Sequence, residues 1–207
     1  PRILSTIVER LETRALSPST FSAYLECPLK FWYGYVRQIR IPEEETEQLN
    51  AAQTGNLLHE TLEKLFEPLI GALMTPSLLR SLMPQVEQAW KEVRQKNFPW
   101  QSFEEGLNAM VDRMGPQFIH QYLTTEAKAA QRKPALLIDQ ERPLETSILV
   151  DEQRVKWRGR LDRLEQLNGR TRIVDFKSGI LKNNASELRI KGIETCFDGE
   201  HSKAFQL

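Results

Sequence analysis

Gly159-Arg160-Leu161-Asp162-Arg163-Leu164-Glu165-Gln166-Leu167-Asn168-Gly169-Arg170-Thr171-Arg172-Ile173-Val174-Asp175-Phe176-Lys177-Ser178-Gly179 decides how this chain is read. Its centre, Asn168-Gly169, is the strongest short hairpin signal, because both residues of a tight two-residue turn must accept positive φ. With those two as the loop, Leu167 faces Arg170, and the same register sets Asp162 opposite Asp175. Side chains in such opposed positions share a sheet face with Cβ atoms roughly 4.5–5.5 Å apart. Two ionised carboxylates that close repel unless a cation sits between them. Lys177, two residues past Asp175, points to the same face, and Arg160 falls opposite Lys177. The arrangement calls for a metal ion.

Bulk properties narrow the rest. The 207 residues, 40% of them hydrophobic, suffice for one domain with a substantial core and a helical annex. Formal net charge is zero, so a polyanion must be met by a local basic patch rather than by the field of the whole molecule. No apolar run approaches the ~18–20 residues of a membrane span, and no signal peptide is recognisable. The two cysteines, Cys27 and Cys196, are far apart and form neither a disulfide framework nor a CxxC pair. A reducing, cytoplasmic setting is the default.

Upstream, residues 1–15 read as a leading linker or arm. Ser17-Pro18 is an N-cap with proline at the first helical position; a helix through Phe21, Tyr24 and Leu25 should follow, broken at Cys27-Pro28. Phe31 to Tyr35 continues as a second short helix, and Glu43–Glu47 is a solvated acidic loop. Leu57, Leu58, Thr61, Leu62, Leu65 and Phe66 mark an amphipathic helix, with His59 and Glu63 on a shared flank. Residues 77–130 carry helical patterns interrupted at Pro84, Pro99 and Pro116. Strands are expected from Leu136 through Leu144, from Val155 to Gln166 and from Thr171 to Lys177. Asn183–Glu187 looks like a loop leading into a helix. A last helix begins near Lys203, and the chain stops as though cut within it. Helices followed by a strand meander argue for an α/β or α+β core: a helical region over 16–135 carrying His59, then core strands and the start of a C-terminal helix over 136–207.

Asp-x-Lys alone is weak, since any exposed strand can carry it. Four segments in order are more specific: Leu16-Ser17-Pro18-Ser19 through Cys27-Pro28-Leu29-Lys30-Phe31, Gly55-Asn56-Leu57-Leu58-His59-Glu60, Gly159–Arg163 and Val174–Gly179. Together they resemble the RecB-type branch of the PD-(D/E)XK nuclease superfamily, most of all the nuclease domain of AddB-like helicase–nuclease proteins. Gln206-Leu207 resembles the start of that family's QxxxY helix. The resemblance implies a restriction-endonuclease-like α/β core, a central mixed sheet flanked by helices, with an N-terminal or inserted helical region. It also implies His59, Asp162, Asp175 and the backbone carbonyl of Phe176 as metal ligands, and Lys177 as the catalytic lysine beside Asp175 and Asp162. Glu63, Glu141 and Gln206 are candidates to assist.

An oxygen-rich site with one imidazole suits Mg²⁺ or Mn²⁺. The activity implied is metal-dependent DNA phosphodiester hydrolysis, exonucleolytic, within a helicase–nuclease of DNA repair and recombination, with DNA and a helicase subunit or the remainder of a longer polypeptide as partners. No phosphate-binding GxxxxGK[ST] loop is present, so ATP hydrolysis belongs to other sequence. Arg158, Arg160 and Arg163 are the candidates for DNA phosphates. Two other readings stay open: a non-catalytic DNA-binding or docking module with a nuclease-like fold, and a stand-alone RecB-like exonuclease of a phage or CRISPR-adaptation system.

Some residues have two readings. His59 is a ligand or a helix-flank histidine satisfied by solvent; Gly55, one turn earlier, favours the first. His120 and His201 are surface residues. Part of the family uses a cysteine like Cys27 as first ligand of a [4Fe–4S] cluster, which takes four thiolates. The partner thiolates would lie in a longer parent chain, so Cys27 reads here as a buried apolar residue. Phe21, Tyr24, Phe31, Trp32, Tyr33 and Tyr35 form a stacking platform for single-stranded nucleic acid or, more simply, a core cluster.

Overall fold

A computed structural model of the chain describes residues 2–39, 47–150 and 152–177. The expected acidic loop apart from Glu47, the segment from Ser178 onward with Cys196, His201 and Gln206, and the expected helices after residue 183 lie outside the described residues. Helices α1 (Arg2–Thr13), α2 (Pro18–Glu26) and α3 (Pro28–Phe31) come first, followed by a π-turn over Trp32–Val36. Next are α4 (Ala51–Phe66), α5 (Pro76–Ser81), α6 (Val86–Asn97) and α7 (Gly106–Arg132), then β1 (Leu136–Val150), β2 (Gln153–Leu167) and β3 (Arg170–Val174). The strands form one sheet in the order β1-β2-β3. No helix among the described residues is long and apolar enough to cross a membrane.

Contacts divide the chain into two compact units that interleave along the sequence instead of following the chain order expected above. Of the described residues, 47–142 and 161–177 make one unit; 2–39 and 143–160 make the other. Each has its own apolar core. In the second of these, Phe31, Tyr35, Val36 and Leu16 pack with Val155, and Ile7 and Leu11 of α1 lie against them. The leading arm is therefore a helix with an apolar stripe. Leu16 also bridges in parallel to Trp157: its N–H donates to the Lys156 carbonyl (2.8 Å) and its carbonyl accepts from Arg158 N–H (2.7 Å). The aromatic cluster divides: Phe31 stacks on Tyr35 with both buried, whereas Tyr24 and Tyr33 are about half exposed. Ser17 caps α2 as its sequence implies, accepting from Thr20 N–H.

The other unit holds the larger core. Asn50 and Gln53 close a reciprocal capping box at the start of α4. From there Leu57, Thr61, Leu62, Leu65 and Phe66 line the buried face of α4. Trp90 of α6 and Ile119, Leu123 and Ala127 of α7 complete that core.

Pro116 does not interrupt α7; it sits inside a continuous helix. A proline normally disfavours helical geometry in the residue before it through a clash with that residue's Cβ, and here that residue is Gly115, which has none. A Cβ built at Gly115 would lie 2.2 Å from the Trp90 ring. The glycine thus serves the proline behind it and the indole in front of it. Asp112, one turn earlier, accepts from Trp90 Nε1 at 2.8 Å and pairs with Arg94 at 2.5 Å, fixing the indole in place.

Candidate metal and catalytic site

The β2–β3 register is antiparallel and runs Leu167↔Arg170, Gln166↔Thr171, Glu165↔Arg172, Leu164↔Ile173 and Arg163↔Val174. Asn168 and Gly169 both adopt positive φ, 53° and 74°, as a two-residue turn of this kind requires. The ladder ends at Arg163↔Val174, one step short of Asp162 and Asp175 and well short of the expected Arg160–Lys177 pair. Beyond it the chain is held differently: the Phe176 backbone N–H donates to Asp162 Oδ2 at 2.6 Å.

Asp162 Oδ2 also lies 3.6 Å from His59 Nδ1. His59, Asp162 and Glu141 each offer one ligand atom, and these three atoms lie within 4.8 Å of one another. That is near the span of two metal–oxygen bonds of about 2.1 Å each. Glu141 reaches this group through an irregular backbone: its φ is 49° in the middle of β1, a left-handed conformation uncommon for a residue with a side chain and concentrated at functional sites. Just before it, Gln140 Nε2 donates to the Glu63 carbonyl at 2.7 Å, tying β1 to α4.

The two candidate glutamates stand in different places. Glu63 contributes its carbonyl to this tie and lines a separate cavity with Glu60, Lys64 and Lys96; Glu141 stands with His59 and Asp162. Asp175 is outside that group of three. Lys177 Nζ lies 2.7 Å from Asp175 Oδ2, an ion-pair contact outside hydrogen-bond alignment, and this buried oxygen accepts no hydrogen bond from the described residues. His59, Asp175, Phe176 and Lys177 open onto a cavity of about 1020 Å³, whose other wall is apolar, with Met110, Met114 and Phe118 of α7.

The donor set suits a small divalent cation. In the group of three, two carboxylates accompany one imidazole, hard oxygen ligands dominate, and Asp175 beside Lys177 keeps a buried oxygen without a hydrogen-bond donor among the described residues.

Arg163 is a correction to the expected DNA contacts. Its side chain is 1% exposed, so it cannot meet a phosphate. NH1 donates to the Tyr122 hydroxyl and NH2 to Glu126 Oε2, both at 2.8 Å. Glu165 Oε2, fully buried, is 3.1 Å from NH2, and Arg172 closes the set on Glu165 Oε1. The guanidinium also lies over the rings of Phe66, Tyr122 and Phe176, with its Cζ 5.3, 6.0 and 5.6 Å from their centroids. Burial works against the arginine's charge, and Tyr122, Glu126 and Glu165 more than offset it, so its pKa is raised. Burial likewise pushes the Tyr122 phenol well above its ordinary range, keeping it a neutral partner. Sequence reasoning missed this network, although one signal was present: the register that pairs Leu167 with Arg170 also sets Glu165 against Arg172. Arg158 and Arg160 are exposed on the part of β2 that belongs to the other unit.

Cys27 is a free, half-buried cysteine at the junction of α2 and α3, not a fully buried one. His120 is at the surface, hydrogen-bonded to Glu87 at 2.9 Å.

The fold agrees with what comparison of the sequence finds. The PD-(D/E)XK nuclease superfamily matches residues 15–192, and the chain belongs to that superfamily. An ATP-dependent helicase/deoxyribonuclease subunit of Carboxydothermus hydrogenoformans is 24% identical to it over 200 residues. That match takes in 87% of this chain but spans only 17% of the relative's length.

Proposed function

We propose that this chain is a Mg²⁺- or Mn²⁺-dependent deoxyribonuclease domain, exonucleolytic, working in the cytoplasm with a helicase in DNA repair and recombination. The observation that carries this reading is the convergence of His59, Glu141 and Asp162 beside the Asp175–Lys177 pair, at the end of one hairpin. His59, Asp162 and Asp175 would hold the ion, together with the Phe176 carbonyl and with Glu141 as a further carboxylate. A divalent ion held there supplies polarisation of the scissile phosphate and neutralises charge building on it.

The chain's own residues do the rest. Lys177 is 44% exposed at the cavity mouth, placed to orient an attacking water and to counter charge on phosphate oxygens. Asp175 keeps that ammonium close in the absence of substrate. The Phe176 amide fixes Asp162 Oδ2, leaving Oδ1 as the freer oxygen. Arg158 and Arg160 would contact DNA phosphates, each adding to the salt dependence of binding. Gln206 would assist from the segment beyond the described residues.

A docking module that had retired from catalysis would have no need of all four of His59, Asp162, Asp175 and Lys177, and their joint presence favours the enzyme. The helicase–nuclease setting is supported by the relative's name and by the small part of its length that this chain spans. The test is release of labelled nucleotides from single- and double-stranded DNA with Mg²⁺ or Mn²⁺. Activity that persists unchanged in Asp175→Ala and Lys177→Ala would defeat the assignment.

A further inference from the structure

We infer that Arg163 and the ring of Phe176 form a positioning device that sets Asp175 and Lys177 against His59 and Asp162. The inference rests on the nuclease reading for its purpose and on packing for its substance.

Residues 175–177 lie past the last ladder pair, Arg163↔Val174, so sheet hydrogen bonds do not set their path. The ring of Phe176 is instead boxed in. His59 meets it edge-on at 5.7 Å and 83°, Tyr122 edge-on at 5.6 Å and 84°, and the Arg163 guanidinium lies 5.6 Å from its centroid. The third wall is itself immobile, since Arg163 is tied to Tyr122, Glu126 and Glu165. The backbone of Phe176 is the donor to Asp162 Oδ2, and its chain neighbours are Asp175 and Lys177. One side chain thus touches the imidazole, its amide touches one acid, and its peptide bonds carry the other acid and the lysine. A shift of the ring moves all four groups.

The wall has to be arginine. A planar guanidinium can lie against aromatic faces while its edge donates to a carboxylate and a phenol and pairs with a second carboxylate; an ammonium supplies the charge but neither the plane nor the fork. Groups that orient metal ligands are worth roughly 10–100-fold in metal affinity when altered.

The experiment uses Arg163→Lys, which keeps a cation against Glu126 and Glu165, and Phe176→Leu, which keeps an apolar residue and the amide. In the full chain, Mn²⁺ affinity is read by titration calorimetry, hydrogen exchange at the Phe176 amide is read in metal-free protein, and kcat and KM are measured on DNA. Both variants are expected to unfold cooperatively, to bind Mn²⁺ about tenfold more weakly and to exchange the Phe176 amide faster. Their kcat should fall while KM holds. The double variant should be no worse than the poorer single one, because both act through one contact. Leu79→Ala, a buried core truncation on α5 that does not line the cavity, should lower the melting temperature and leave Mn²⁺ affinity alone. Wild-type Mn²⁺ affinity and amide protection in both site variants would reduce Arg163 to a structural residue. Absence of Mn²⁺ uptake by the wild type, with amide protection still dependent on Arg163, would overturn the nuclease reading and leave the positioning device standing.

Discussion

Asp162 and Arg163 are neighbours on β2, yet they belong to charge clusters of opposite character. Around Arg163 the balance is even: two arginines, Arg163 and Arg172, meet two acids, Glu126 and Glu165, in close ion pairs. Around Asp162 the groups gather instead: His59, Glu141 and Asp162 bring ligand atoms within 4.8 Å of one another, and Asp175 has Lys177 beside it. The first cluster is centred on two buried side chains, Arg163 and Glu165, and behaves as structure. The second is only partly buried and gathers its ligand atoms at close to the spacing a divalent ion takes. Burial and the grouping of ligand atoms, more than residue type, separate the two.

The comparison can be broken at its balanced end first. Glu165→Ala leaves Arg163 buried with one carboxylate fewer, and removing one member of a buried ion pair typically costs about 3–5 kcal/mol. Urea unfolding should register a loss of that size, and a loss below about 1 kcal/mol, the scale of a surface pair, would mean the cluster is not structural.

At the other end, Asp162→Asn keeps an acceptor for the Phe176 amide while removing a charge. Nuclease activity should fall at least about 10²–10³-fold, the scale on which a positioned electrostatic group contributes. Stability should hold or rise, because like charges are relieved; a marked drop in melting temperature would place Asp162 with the structural cluster. Saturating Mn²⁺ should stabilise the wild type by about 2.7 kcal/mol at a hundredfold excess over Kd. Thermal melts of Asp162→Asn should show no such gain, and an equal gain would put the ion elsewhere.

The smallest effect concerns pH. The hydrogen bond with His120 holds the Glu87 carboxyl below its usual range, against a lesser opposing effect of burial. A depressed carboxylate contributes stability above its unfolded pKa and loses it as pH falls through the folded one. His120→Ala should therefore cost a surface pair's worth, about 0.2–1 kcal/mol, near neutrality. The difference should vanish in acid, where Glu87 is protonated in both proteins; a gap that widened on acidification would contradict the assignment.

What the sequence made legible was local. Asn168-Gly169 set the hairpin register, Ser17-Pro18 set the start of α2, and apolar periodicity set α4, each through interactions a few residues long. The candidate site was readable as far as it lay on those elements. Arg163 was misjudged because exposure is the default for an arginine, and its partners Tyr122 and Glu126 come from a helix about forty residues away in sequence. Glu141 stood only as a candidate to assist, because nothing local announces a left-handed residue inside a strand. Pro116 misled for the opposite reason: the glycine before it removes the clash that would have ended the helix.

The contact between Gly115 and the Trp90 indole carries an evolutionary consequence. With no room for even a methyl group at position 115 while a tryptophan occupies position 90, position 115 cannot gain a side chain unless position 90 gives way. A relative bearing a larger residue at 115 should show a compact one at 90, so the two columns of any family alignment should change together.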